Sequence, residues 1–161
     1  MTGPRIALYG HDSLGLGHLR RNLALARSLS ALGSGPDLLI VTGTSDAGAF
    51  ELPPRTDLLQ VPSGGKDACG RYRSGRLSVG LSDVVSIRRA VLSAGLDAFA
   101  PDLLVVDKVA LGLGDELAPA LHRLRTRGAT RVVRGLRVVL DEPVTTRREW
   151  AAAGTDTAVS S

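Results

Sequence analysis

The sequence predicts an α/β fold, a doubly wound parallel sheet of about five strands carrying helices on both faces, built as one domain. Three observations predict it. Short apolar runs without polar alternation, such as Ile6 to Tyr9, Asp37 to Thr42 and Leu103 to Val106, read as strands covered on both sides. Segments with helical apolar spacing separate them. A glycine-rich turn, His11 to His18, follows the first run where such sheets place their ligand sites.

The elements follow in order. After the first strand, Leu19, Leu23, Ala26 and Ser30 recur at helical spacing, with Leu25, Leu29 and Leu32 beside them, so a helix starts near His18. Breakers at Gly33 to Pro36 lead into the second strand, and a short helical piece from Asp46 to Phe50 is stopped by Pro53 and Pro54. Thr56 to Val61 reads as the third strand. Pro62 to Leu81, rich in glycine and carrying Lys66, Arg71, Arg73 and Arg76, reads as a mobile basic loop. Ser82 is expected to cap a helix to about Ala100, ended by Pro101 and Asp102. Leu103 to Val106 is the fourth strand, and Asp115 and Glu116 are expected to open a helix to Arg127, closed by Gly128. Arg131 to Leu136 gives the fifth strand, and Asp141, Glu142 and Pro143 cap a helix through Trp150. The expected strand order, 3-2-1-4-5, reverses direction between strands one and four, bringing His11 to His18 beside Asp107 to Gly114.

Composition narrows the function classes. The 161 residues are 43% hydrophobic, ample for one core, but only 3% aromatic. That leaves little material for stacking bases, so no nucleic-acid partner is expected. The net charge of +4 comes almost wholly from arginine, since Lys66 and Lys108 are the only lysines. It suits an anionic ligand or a membrane surface. Cys69 stands alone, which excludes an internal disulfide and a cysteine zinc site and fits a reducing cytosol. No apolar run approaches the roughly 20 residues of a membrane span, and no signal-peptide pattern opens the chain. A cytoplasmic protein is expected, with a peripheral contact to the inner membrane face.

The turn itself is a ready anion site. Unpaired N–H groups and the positive dipole end of the helix point into it, and Gly15 and Gly17 let a ligand approach the backbone. Arg20 and Arg21 oppose the macrodipole in the first turn, and a phosphate nearby would compensate them. Solvated arginines and glycines that merely make the turn are the bland alternative. Two phosphate motifs fail here. The dinucleotide fingerprint would need glycine or alanine at Arg20 and an acidic residue ending the second strand. The P-loop would need Lys-Ser/Thr where Leu16 and Gly17 stand.

Residues His11 to Asn22, Gly48 to Pro53, Pro101 to Lys108 and Gly135 to Pro143 together resemble the N-terminal half of bacterial GT-B glycosyltransferases, the predicted sugar transferases akin to the MurG group. The resemblance runs along nearly the whole chain. It implies two Rossmann-like domains facing across a cleft, the second holding a nucleotide-sugar donor and the first a sugar or lipid-linked acceptor. It further implies that residues 1–161 are the acceptor-side domain alone, without the C-terminal donor domain, so that transfer would need the missing half. No cofactor is implied.

By that resemblance Gly15, Gly17, Arg20, Arg21 and Asn22 face the donor diphosphate, and His18 lies near the transfer centre. The chemistry agrees, because transfer with inversion needs a base for the acceptor hydroxyl and positive potential for the departing diphosphate. A structural helix-start histidine is the alternative reading of His18. His11 and Asp12 form a second candidate pair, and Asp107 could orient a base, bind acceptor hydroxyls or cap the next turn. Lys108, Arg137, Lys66, Arg71 and Arg73 are the acceptor-side candidates. A metal held by His11, Asp12 and His18 is disfavoured, because no second spaced ligand cluster accompanies them. Two other functions remain open at this point: a non-catalytic anion or nucleotide-sugar binding module or remnant, and one half of a sugar-nucleotide epimerase.

Overall fold

Strand β1 (Arg5–Tyr9) forms because four consecutive apolar residues can be buried on both faces of a sheet, and all four are. The computed structural model describes residues 3–11, 16–33, 35–107 and 109–135. Asp12, Gly15, Lys108, Arg137 and the expected helix from Asp141 to Trp150 lie outside the described residues. The other strands are β2 (Asp37–Thr42), β3 (Thr56–Gln60), β4 (Gly64–Lys66), β5 (Tyr72–Ser74), β6 (Leu103–Val106) and β7 (Arg131–Arg134). The α-helices are α1 (Gly17–Ser30), α2 (Leu81–Phe99) and α3 (Ala118–Arg127), with short 3-10 turns at Ala47–Ala49 and Leu113–Asp115.

Five strands make one parallel sheet in the order β3-β2-β1-β6-β7, a single Rossmann-like α/β domain. Alternate residues of β1 feed two cores. Ile6 and Leu8 pack with Leu19, Leu23 and Ala26 of α1, whereas Ala7 and Tyr9 pack with Leu92 and Leu96 of α2 and Leu121 and Leu124 of α3. Among the described residues, one helix therefore covers one face and two cover the other. The winding reverses between β1 and β6, which are paired from Ile6↔Leu103 to Tyr9↔Val106. Sheets of this kind bind their ligands beyond the carboxyl ends of the strands at such a reversal.

Three expectations are corrected. Pro62 to Leu81 is not an unbroken loop, because β4 and β5 pair as an antiparallel hairpin from Gly64↔Ser74 to Lys66↔Tyr72. Its turn is tied by Asp67, whose carboxylate accepts the N–H groups of Cys69 and Arg71 at 2.9 Å and Arg71 Nε at 3.0 Å. Strands of three residues without apolar alternation give no periodic signal. Ser82 does not cap α2, which starts at Leu81 after Gly80. Asp115 and Glu116 do not open α3; that helix starts at Ala118, after Gly112, Gly114 and Asp115 turn the chain through positive φ and put Glu116 inside. Gly128 closes α3 in the left-handed conformation at φ 68°, as expected. Among the described residues no helix is long and apolar enough to cross a membrane.

Candidate functional site

Two adjacent strand ends and one helix start build the site. Asp107 follows Val106 directly at the carboxyl end of β6, His11 follows β1 by one glycine, and the first turns of α1 supply His18 and Arg21. Asp107 is 1% exposed and receives both neighbours: His18 Nδ1 lies against its Oδ2, and Arg21 Nη1 is 2.8 Å from its Oδ1. A neutral His18 that donates its Nδ1–H to a carboxylate keeps the Nε2 lone pair for another proton. The His11 and His18 rings stand 5.0 Å apart between centroids, tilted by 53°.

His11 is 7% exposed, and among the described residues its Nδ1 has no hydrogen-bond partner. Burial, then the neighbouring His18, lower its pKa from 6.5 to about 4, against the opposing pull of Asp107 and Glu116. His11 is thus neutral at physiological pH.

The start of α1 is open. Among the described residues no side chain caps it, its first turn holds no acidic residue, and Arg20 N–H donates to the Leu16 carbonyl at 2.9 Å. The N–H groups of Gly17, His18 and Leu19 precede the first full helical turn and have no partner within it. Gly17 is exposed with nothing within 4 Å of the position its Cβ would take. It has helical rather than positive φ, so the open approach, not backbone strain, is what it offers.

The expected residues divide clearly. His11, His18, Arg21 and Asp107 come together. Arg20 is exposed and pairs with no described carboxylate, and Asn22 is buried with its Nδ2 unpartnered among the described residues. The charge that offsets Arg21 is Asp107 rather than a ligand, which removes one argument for a phosphate at that arginine. Two basic residues of the hairpin are engaged internally: Lys66 Nζ sits 4.7 Å from the Tyr72 ring centre, and Arg71 pairs with Asp67. Arg73 is exposed on β5. Beyond β2 and β3 a cleft of about 530 Å³ is lined by Gln60, Pro62, Ser63, Arg76 and Leu77 among others.

Three residues beneath the site were not anticipated. Arg88 of α2 and Glu116 are both 0% exposed and form an ion pair, and Tyr9 donates its hydroxyl to Glu116 Oε1 at 2.5 Å. Burial pushes the Tyr9 phenol well above 10.0, followed by the Glu116 charge. Burial pulls Arg88 down, but its bonds to Glu116 leave it raised. A signal for Arg88 existed: Val84, Arg88, Leu92 and Leu96 share one helical stripe, and an arginine inside an apolar stripe implies a buried partner.

His11, His18 and Asp107 offer two nitrogens and an oxygen within 4.8 Å of one another, a donor set that suits zinc or iron(II). The electrostatics oppose a cation there. Arg21 already occupies one Asp107 oxygen, His18 the other, and the positive end of α1 faces the same space. The arrangement is better suited to acid–base chemistry beside an anion.

The fold and the site define a class: a Rossmann-like α/β domain with a histidine–aspartate pair at its topological switch point. No family model matches the chain, and no curated protein matches it.

Proposed function

We propose that this chain is the acceptor-side domain of a glycosyltransferase that uses a nucleotide-sugar donor, with the donor-side domain lying outside these residues. The observation that carries the reading is the pairing of His18 with the buried Asp107 at the carboxyl ends of β1 and β6, next to the start of α1, which no described side chain caps. In this mechanism His18 Nε2 takes the proton of an acceptor hydroxyl as its oxygen attacks the anomeric carbon. The bond from that carbon to the diphosphate breaks, and the nucleoside diphosphate leaves with the electron pair. Asp107 keeps the imidazole oriented and stabilises the imidazolium, while the N–H groups at Gly17 to Leu19 meet the charge growing on the diphosphate.

The acceptor would occupy the cleft beyond β2 and β3, where Arg76 supplies a cation for a phosphate-linked acceptor and Leu77 an apolar surface. Exposed Leu77 and Val79 beside Arg73 and Arg76 suit a peripheral contact with an anionic membrane. Titrating the chain with a nucleoside diphosphate while following backbone amide shifts tests the reading. Shifts should concentrate on Gly17 to Arg21. Shifts confined to the hairpin Gly64–Ser74, or no saturable shift, would overturn it.

A further inference from the structure

Arg88 uses its whole guanidinium. Its Nε and Nη2 both bond Glu116, the Nη2–Oε1 distance being 2.6 Å; Nη1 donates to the Pro62 carbonyl at 2.6 Å, and Nη2 also donates to the His11 carbonyl at 3.2 Å. One side chain thereby joins three connecting segments, those after β1, β3 and β6, all at the carboxyl edge of the sheet. Tyr9 adds a fourth link from inside β1. Gly112 closes the pair from above: its φ is 75°, and a Cβ there would run into the Tyr9 hydroxyl and stand 3.0 Å from Glu116 Oε1.

A buried ion pair is a weak device for stability, since apolar residues of similar volume often serve as well or better. What this one supplies is the fixed position of particular carbonyls. A planar guanidinium can span acceptors in several directions, which a lysine ammonium on its flexible stem does not reproduce. The His11 carbonyl it holds belongs to the residue whose ring stands against His18, and Pro62 lines the cleft beyond β3.

We propose that Arg88, neutralised by Glu116, is a positioning residue that holds the backbone at His11 and Pro62, so that His11 packs against His18 and the edge of the cleft is set. The proposal deepens the reading of these strand ends as the reacting site and rests on it for its functional meaning, but it is tested without any sugar or diphosphate. The groups facing His11 are His18, Asp107, Glu116 and Arg88 itself.

The test is a histidine-ring NMR titration of the full chain, with ring-to-ring contacts between His11 and His18 measured in parallel. Wild type, Arg88→Lys, the apolar pair Arg88→Met with Glu116→Leu, and the control Leu92→Ala on the same helix are compared. In wild type the His11 midpoint should lie near 4, the ring contact present. Both Arg88 variants should fold, move the midpoint up toward 6.5 and lose the contact. Leu92→Ala should lower the melting temperature yet leave both readouts in place. A wild-type midpoint already near 6.5, unchanged readouts in either folded Arg88 variant, or equal changes in Leu92→Ala would overturn the proposal. So would failure of both Arg88 variants to fold, because the pair would then be a requirement of the fold itself. Loss of diphosphate binding by wild type would count against the functional reading alone.

Discussion

His18 and Asp107 meet although 88 residues separate them in the chain, because β1 and β6 are neighbours and Tyr9 pairs with Val106 at their carboxyl ends. The helix that carries His18 starts after β1, and Asp107 is the first residue after β6. Asp107→Asn replaces the acceptor with an amide and should release the Nδ1–H tautomer of His18. Ring nitrogen NMR should show wild type held as the Nδ1–H form and the variant mixed. Transfer, measured with the donor domain supplied, should fall roughly 10²–10⁴-fold, the usual worth of a positioned acid–base group. An unchanged tautomer would remove Asp107 from the mechanism.

Acid should weaken the fold through His11. Its folded pKa of about 4 lies below the ordinary 6.5, so the unfolded chain binds a proton that the folded one refuses. The neutral ring's contribution is complete above pH 6.5, declines as pH falls through the interval, and is gone below about 4. The difference corresponds to about 3 kcal/mol at most. Urea unfolding at pH 7.5 and at pH 4.5 should show wild type losing more stability than His11→Phe. Equal losses would contradict a buried neutral His11.

The start of α1 should be sensitive to obstruction but not to strain. Gly17→Ala should leave stability within about 0.5 kcal/mol, since the position is helical and open. Gly17→Val should leave the fold intact yet weaken diphosphate binding by crowding the N–H groups. Arg20→Ala should weaken it by roughly 1–3 kcal/mol through loss of a charge-assisted bond to the ligand. Calorimetric titration with pyrophosphate measures each, and equal affinity across the set would move the anion elsewhere.

Gly112→Ala should destabilise the chain by about 1–3 kcal/mol, because the residue sits at positive φ against the Tyr9 hydroxyl. Gly70→Ala, at φ 77° but with open space around it, should cost less. Denaturant midpoints of the two variants decide; equal midpoints would mean that packing over Glu116 contributes nothing.

The proposed membrane contact should respond to salt. Anionic vesicles should sediment the chain at low ionic strength and release it at high, and Arg73→Ala with Arg76→Ala should reduce binding by about 1 kcal/mol per arginine. Equal sedimentation of variant and wild type would take the hairpin and its flank out of the contact.

The sequence by itself determined the sheet, its strand order and the helix that starts after the glycine-rich turn, because these follow from local quantities. Unalternated apolar runs need cover on both faces, parallel strands need crossover helices, and the handedness of those crossovers leaves few orders for five strands. His18 and Asp107 were legible as candidates for the same reason, since each ends or begins an element at the switch point. Only the tertiary structure decided that Asp107 holds His18 and Arg21 at once, that Asp67 and Tyr72 engage two of the basic hairpin residues, and that Glu116 leaves the surface to neutralise Arg88. Charge pairing depends on which groups arrive within a few ångströms after packing, and no periodicity along the chain records that distance. Arg88 marks the boundary between the two: its place in an apolar stripe announced a buried partner, and the fold alone chose Glu116, Pro62 and His11.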